Sequence, residues 1–152
     1  MNVVEVSEKN LHEALEFYKR DRADFYSALG KALPDDDKLE IDLLGYETGA
    51  ISYILSDKGK AYALFTTDKD SAEISNLCVD LSVLDRSIVT KTLEFAIKQF
   101  SSITLVYVWV DSLNGSISEI LEDFGFEYTG EQNYLDKEKS ILNFRYVFRR
   151  KK

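Results

Sequence analysis

The spacing of apolar residues changes along the chain, and the change predicts helices first and strands later. Between residues 10 and 30, Leu11, Leu15, Tyr18 and Phe25 recur near helical spacing, which predicts a long helix. From residue 50 onward, short apolar runs bounded by polar turns are typical of strands. The predicted order is β, α, α, β, β, β, α, β, α, β, β. This order indicates an α+β fold, a mixed sheet with helices packed on it.

The boundaries of these elements follow from the same pattern. Strands are expected at 3–6, 50–55, 60–67, 72–79, 102–110, 127–134 and 141–148, and helices at about 10–30, 37–45, 84–100 and 116–124. Asn10 and Glu13 have the spacing of a capping box at the start of the first helix. Gly125 fits the end of the last helix, where glycine is favoured. The strand at 102–110 is apolar on both faces, which predicts a central place in the sheet.

Length and charge narrow the class of protein. The 152 residues suit one domain spanning 1–152, and no apolar run reaches the roughly 18 residues of a membrane span. The net charge of −8 argues against nucleic acid as a partner and weakly favours a cationic ligand such as an amine. A single cysteine and the lack of a signal-like N-terminus indicate the cytoplasm. No spacing of His, Cys, Asp or Glu indicates a metal site.

Two windows carry a family resemblance. In N-G-S-I-S-E-I-L-E-D-F-G-F, Asn114 opens a helix that closes in Gly125 and Phe126, eleven and twelve residues later. In C-V-D-L-S-V-L-D-R-S-I-V-T, residues 78–90, a strand ends and a helix begins. With the element order, these windows resemble the GNAT superfamily of N-acetyltransferases over nearly the whole chain. The resemblance implies a splayed, mostly antiparallel sheet flanked by helices.

The resemblance also implies an acetyl-CoA site where the strands at 72–79 and 102–110 diverge. The pantetheine arm would pair with Leu77–Val79, and the pyrophosphate would lie on the turn before the next helix. The implied cofactor-binding residues are Leu77, Cys78, Val79, Leu84, Arg86, Ser87, Ile88, Val89, Thr90 and Asn114. A backbone N–H of Leu77 or Cys78 would stabilise the negative charge that develops on the carbonyl oxygen.

The pyrophosphate turn departs from the family pattern Q/R-x-x-G-x-G/A. Leu84 replaces the first residue, and Ser87 and Val89 replace the two glycines. Backbone N–H groups at a helix N-terminus bind an anion whatever the side chains are, and Arg86 adds a charged donor. A branched side chain at Val89 would narrow the approach of the phosphate.

The residues that would perform catalysis are partly missing. The resemblance places Glu73 where related enzymes hold a general base, although the residue pattern by itself favours a surface carboxylate on an alternating strand. The family's tyrosine acid falls on Leu121, so Tyr128 is the substitute candidate, with Tyr134 behind it. Cys78 fits a buried small hydrophobe better than a nucleophile.

Two functions remain open at this point. One is an acetyltransferase acting on a primary amine, either a small molecule or a peptide. The other is a GNAT-fold protein that binds a ligand or partner without catalysis, which the missing glycines and tyrosine favour. Leu142, Phe144, Tyr146 and Phe148 share one face of the final strand, which belongs to the core or, if the strand is an edge, pairs with a second copy in a homodimer.

Overall fold

The computed structural model describes residues 2–57, 60–80 and 86–150, without the side chains of residues 57, 86 and 115. Within these ranges the element order is the one that the sequence predicts. The strands are β1 (Asn2–Glu5), β2 (Ile51–Asp57), β3 (Lys60–Asp68), β4 (Glu73–Val79), β5 (Leu105–Asp111), β6 (Glu127–Asp136) and β7 (Ile141–Arg149). The helices are α1 (Leu11–Ala28), α2 (Asp36–Leu44), α3 (Arg86–Lys98) and α4 (Gly115–Phe124).

The seven strands form one sheet in the order β1-β2-β3-β4-β5-β7-β6. All neighbours are antiparallel except β4 and β5, which are parallel. The predicted α+β class and mostly antiparallel sheet are therefore confirmed. The central place of β5 is also confirmed, because it lies between β4 and β7.

The final strand is not an edge. β7 pairs with β5 on one side and with β6 on the other, so both of its hydrogen-bonding edges are used within the chain. Tyr146 is buried, and Phe144 and Phe148 pack against the core. Of the two alternatives for this strand, the core is therefore the correct one, and the exposed edge at this end of the sheet is β6. A homodimer through another surface stays a prediction.

The sheet carries a hydrophobic core on each face. α3 and α4 cover one core, which contains Phe65, Leu93, Val108 and Leu121. α1 and α2 cover the other core, which contains Leu15, Phe17, Leu43 and Leu64. Neighbouring residues such as Leu64 and Phe65 enter opposite cores, as the alternation of side chains along a strand requires.

The start of α1 differs from the predicted capping box. Asn10 does not cap the helix with its side chain. Its Oδ1 accepts a hydrogen bond from the N–H of Ser7 at 2.8 Å, and its Nδ2 donates to the carbonyl of Glu5 at 3.1 Å. The capping box is therefore wrong, because Asn10 is engaged with the turn that follows β1 and its side chain faces backwards along the chain. At α2 the side chain of Asp35 does cap the helix by accepting from the N–H of Lys38.

Two glycines between α2 and β2 provide a matched test of how tightly the chain is packed there. Gly45 and Gly49 have φ of +71° and +72°. A Cβ on Gly45 would clash with the carbonyl oxygen of Ala50, whereas a Cβ on Gly49 would meet nothing within 4 Å. Gly49→Ala should therefore cost only the left-handed strain, about 1–2 kcal/mol. Gly45→Ala should cost about 3 kcal/mol or more, because the backbone must also move.

Urea denaturation of both variants and the unmodified protein measures these costs as changes in the free energy of unfolding. Equal losses in the two variants would contradict the close approach of Gly45 to Ala50.

Candidate active site

β4 and β5 pair over a short distance and then separate. Their register contains two pairs, Glu73 with Tyr107 and Ile74 with Val108. On the other side of β4, Ser75 pairs with Thr66 and Cys78 with Leu64, so that Asn76 and Leu77 both oppose the single residue Phe65. This is a β-bulge, an extra residue that bends one strand and increases its twist. The bulge directs the second half of β4 away from β5.

Asn76 holds the bulge in place. Its φ is +51°, a left-handed conformation that asparagine tolerates better than most residues. Its Nδ2 donates to Oγ1 of Thr66 at 3.2 Å, and the Thr66 and Ser52 hydroxyls are hydrogen bonded at 2.7 Å. Ser52 and Thr66 are buried, so this chain of hydrogen bonds fixes the bulge to the interior of β2 and β3.

The bulge decides where the residues after it point. Ile74 lies in the core under α3 and α4, but Cys78, four residues later, lies in the core under α1. In a regular strand, residues four apart lie on the same face of the sheet. The extra residue of the bulge places Cys78 on the face opposite to Ile74. Burial raises the pKa of the Cys78 thiol, and the negative charge of Asp21 raises it further. The thiol therefore stays protonated. Cys78 is therefore a buried small side chain rather than a nucleophile.

A cavity of about 230 Å³ lies at the opening between the two strands. α1 forms one wall, Asn76 and Leu77 of β4 a second, and the end of β5 a third. Side chains of the C-terminal hairpin complete it. The lining residues are Tyr18, Arg22, Phe25, Tyr26, Asn76, Leu77, Trp109, Val110, Asp111, Asn114, Ile117, Leu135 and Asn143.

Arg22 and Asp111 are the charged residues in this lining. Asp111 ends β5, and its two oxygens accept hydrogen bonds from the N–H of Leu113 at 3.0 Å and from Nδ2 of Asn114 at 2.9 Å. Nη1 of Arg22 lies 3.6 Å from Oδ2 of Asp111, and the guanidinium stacks 3.8 Å from the ring centroid of Phe25. The side chains are 17% and 7% exposed, so a cation and an anion face each other in a sheltered space.

A second and wider opening adjoins the first at Asn114. Its volume is about 590 Å³, and it lies between α1, the end of β4 and the start of α4. Val79 and Asp80 line it from β4 and the residue that follows, with Arg20 from α1 and Lys60 from β3. Of the residues expected to bind a cofactor, Leu77 thus lines the first space, Val79 the second, and Asn114 both.

The N-terminus of α3 is the expected pyrophosphate position. Leu84 lies outside the described residues, as does the side chain of Arg86, the first residue of the helix. Ser87 and Thr90 are exposed, whereas Ile88 and Val89 are buried in the core. In a regular helix starting at Arg86, the N–H of Thr90 donates to the carbonyl of Arg86, so Thr90 is not one of the first-turn N–H groups that lack a partner within the helix. The side chain of Val89 points into the core.

Glu73 and Tyr128, the candidates for acid–base chemistry, are not among the residues that line the cavity. Oε1 of Glu73 accepts from the indole N–H of Trp109 at 3.3 Å and lies 3.8 Å from Nη2 of Arg145. The side chain of Trp109 therefore lies between Glu73 and the cavity. Tyr128 is 43% exposed on β6 and donates to Gln132, and Leu121 is fully buried in the core.

The sequence pattern did not identify the tyrosines that do line the cavity. Tyr18 and Tyr26 lie two turns apart on α1, and their hydroxyls are 3.4 Å apart. Burial and the hydrogen bond to Tyr26 raise the pKa of Tyr18, so it stays protonated. The helical pattern counted Tyr18 as an apolar position, so the role of its hydroxyl group was not considered. Arg22 follows it by four residues on the same face of the helix, and this spacing was the available signal.

Comparison with solved structures identifies the fold. An acetyltransferase of the GNAT family from Staphylococcus aureus Mu50 superposes with a TM-score of 0.72 at 15% identity, over 99% of both chains. A ribosomal-protein-alanine N-acetyltransferase from Escherichia coli gives 0.72 at 17% identity, over 97% of this chain and 92% of that one. An aminoglycoside 6′-N-acetyltransferase from Enterococcus faecium gives 0.72 at 11% identity, over 98% and 97%.

The chain therefore has the fold of the GNAT N-acetyltransferases, as its motifs indicated. No family model matches the sequence, and no curated protein matches it. The described part of the chain contains no helix long and apolar enough to cross a membrane. Nor do its described residues include a group of His, Cys, Asp and Glu that could hold a metal ion.

Substitutions at Asn76 test whether the left-handed bulge is under strain. Asn76→Gly keeps the conformation and loses one hydrogen bond, so it should cost about 1 kcal/mol. Asn76→Ala loses the same bond and adds left-handed strain, so it should cost about 2–3 kcal/mol. Ser75→Ala, at the exposed position beside the bulge, is the control and should stay within about 0.5 kcal/mol. Chemical denaturation gives the three values; an alanine variant as stable as the glycine variant would contradict the role of Asn76.

Proposed function

We propose that this protein is an N-acetyltransferase that moves an acetyl group from acetyl-CoA to a primary amine. The observation that carries the proposal is the divergence of β4 from β5 at the Asn76 bulge, with a small cavity at the opening. Solved N-acetyltransferases share the whole fold, which supports the same kind of reaction here.

The donor half of the site follows from the backbone. In the proposed complex, the pantetheine arm lies along Leu77–Val79 and an N–H of Leu77 or Cys78 faces the thioester oxygen, where charge develops. The pyrophosphate lies at the start of α3, near the N–H groups of Arg86, Ser87 and Ile88. The burial of Val89 supports this arrangement, because its side chain fills the core instead of the approach to the helix.

The acceptor half uses the cavity. The amine nitrogen forms a bond to the acetyl carbon, and the carbon–sulfur bond breaks with its electron pair leaving on sulfur. Glu73 is the proposed base that takes the proton from the amine by way of water beside Trp109. Tyr18 and Tyr26 replace Tyr128 as proposed proton donors to the sulfur, because their side chains line the cavity and that of Tyr128 is exposed on β6.

The rival proposal is a GNAT-fold protein that binds a ligand without catalysis. The burial of Leu121 favours it, because the position expected to carry a tyrosine acid lies in the core. Only the first proposal predicts acetylation of an amine, so an activity assay distinguishes the two.

Calorimetric titration with acetyl-CoA and with free CoA tests the donor half. We expect micromolar affinity for both. Ser87→Asp places a negative charge on an exposed residue in the first turn of α3. Such a charge should stabilise the helix slightly but repel the pyrophosphate, weakening binding about tenfold. Ser87→Ala is the neutral control and should bind nearly as the unmodified protein does.

The absence of binding by the unmodified chain at millimolar ligand would overturn the proposed function. Equal affinity of the Asp and Ala variants would overturn the placement of the pyrophosphate at α3. Binding without turnover on any amine would favour the rival proposal.

Glu73→Gln tests the base. Loss of a general base should lower kcat about 100-fold or more and remove the acidic limb of the pH–rate profile. Glu131→Gln is the matched control, since Glu131 shares the same partner, Arg145, at 2.9 Å but is 54% exposed on β6. A Glu73→Gln variant with an unchanged pH profile would exclude Glu73 as the base.

A further inference from the structure

We propose that the acceptor is a free α-amino acid with an apolar or aromatic side chain, bound as a zwitterion between Arg22 and Asp111. This inference rests on the proposed function and names the class of amine that the cavity fits. Its basis is the incomplete ion pair in the cavity wall, together with the size and lining of the space.

The ion pair leaves binding capacity on both partners. The 3.6 Å between Nη1 of Arg22 and Oδ2 of Asp111 is longer than a hydrogen bond. A guanidinium has five N–H donors, and within the described residues Arg22 donates none of them in a hydrogen bond: it forms this ion pair, stacks on Phe25 and interacts electrostatically with Asp21. Asp111 uses one acceptor site on each oxygen, and a carboxylate offers about four. A ligand can therefore bind each charge without displacing an existing hydrogen bond.

The signs of the two charges select the ligand. A simple cationic amine would be attracted by Asp111 and repelled by Arg22, which lines the same cavity. A simple anion would be attracted by Arg22 and repelled by Asp111. An α-amino acid places an ammonium and a carboxylate a few bonds apart, so its carboxylate can take the guanidinium fork while its ammonium faces Asp111. The ammonium is then held near Leu77, beside the strand segment Leu77–Val79 proposed for the pantetheine arm. It loses one proton to solvent to become the attacking amine, and Glu73 takes the second proton when the bond to the acetyl carbon forms.

The rest of the lining indicates the side chain. Tyr18, Tyr26, Trp109 and Leu135 supply aromatic and apolar surface around the charged pair, and three asparagines, Asn76, Asn114 and Asn143, supply amide groups. The volume of about 230 Å³ is smaller than the pockets of drug-sized ligands, which measure roughly 300–1,000 Å³. A single amino acid with an apolar or aromatic side chain suits this volume.

The test compares acceptors with and without the carboxylate. L-phenylalanine, L-phenylalaninamide and phenethylamine carry the same ring and a primary amine, and the last two lack the negative charge. We expect the kcat/KM for L-phenylalanine to exceed that for either neutralised analogue by at least tenfold. Arg22→Gln should remove this preference, chiefly by raising the KM for L-phenylalanine about 10- to 100-fold.

Lys19→Gln is the matched control on the same helix. Lys19 forms an exposed ion pair with Asp36 at 3.1 Å and is not among the residues that line the cavity, so the preference should survive its replacement. Arg22→Lys keeps the charge but loses the planar fork, and should retain part of the preference. Melting temperatures of all variants separate loss of folding from loss of recognition.

The outcomes distinguish this inference from the proposed function. Equal rates on the amide and the acid would overturn the inference while leaving an acetyltransferase, and preference for the amide would indicate a peptide N-terminus. If no amine is acetylated, calorimetric titration of the CoA-loaded and unloaded protein with the three compounds decides the matter. Binding of L-phenylalanine alone would support the zwitterion site without the enzyme, and binding of none would overturn it.

Discussion

The candidate site depends on one extra residue in β4. Asn76 adopts a left-handed conformation, its side chain is tied to the buried hydroxyls of Thr66 and Ser52, and the strand bends away from β5. This bend opens the cavity, directs Leu77 into it and turns Cys78 towards α1. The shape of the site thus follows from backbone geometry that the Asn76 side chain ties to the interior of β2 and β3.

Electrostatics then gives this opening its chemical character. The protein is strongly acidic overall, yet the cavity holds one cation and one anion of low exposure. Charges in such a space interact more strongly than charges on the surface, because water screens them less. The net charge of the chain therefore does not describe the charge inside this cavity, which Arg22 and Asp111 set.

The sequence was sufficient for the fold and insufficient for the site. Apolar spacing predicted the order of the elements because most helices and strands bury one regular face or both, although β1 and β6 are largely exposed. The bulge was missed because the pattern A-E-I-S-N-L-C-V reads as an unbroken strand, although asparagine is one of the few residues that adopt the left-handed conformation easily. Arg22 and Asp111 meet only through the tertiary fold, so no local pattern links them. The capping box was wrong because Asn10 had a nearer partner in Ser7.

The short pairing of β4 with β5 has a mechanical consequence. β3 is hydrogen bonded on both edges and covered on both faces, whereas two residue pairs join β4 to β5. We therefore expect the sheet to be rigid across β2, β3 and β4 and to deform most easily between β4 and β5, beside the cavity. Widening the gap between these two strands to admit or release a ligand disturbs few backbone hydrogen bonds, so the same sheet combines a rigid frame with an opening that moves at little cost in stability.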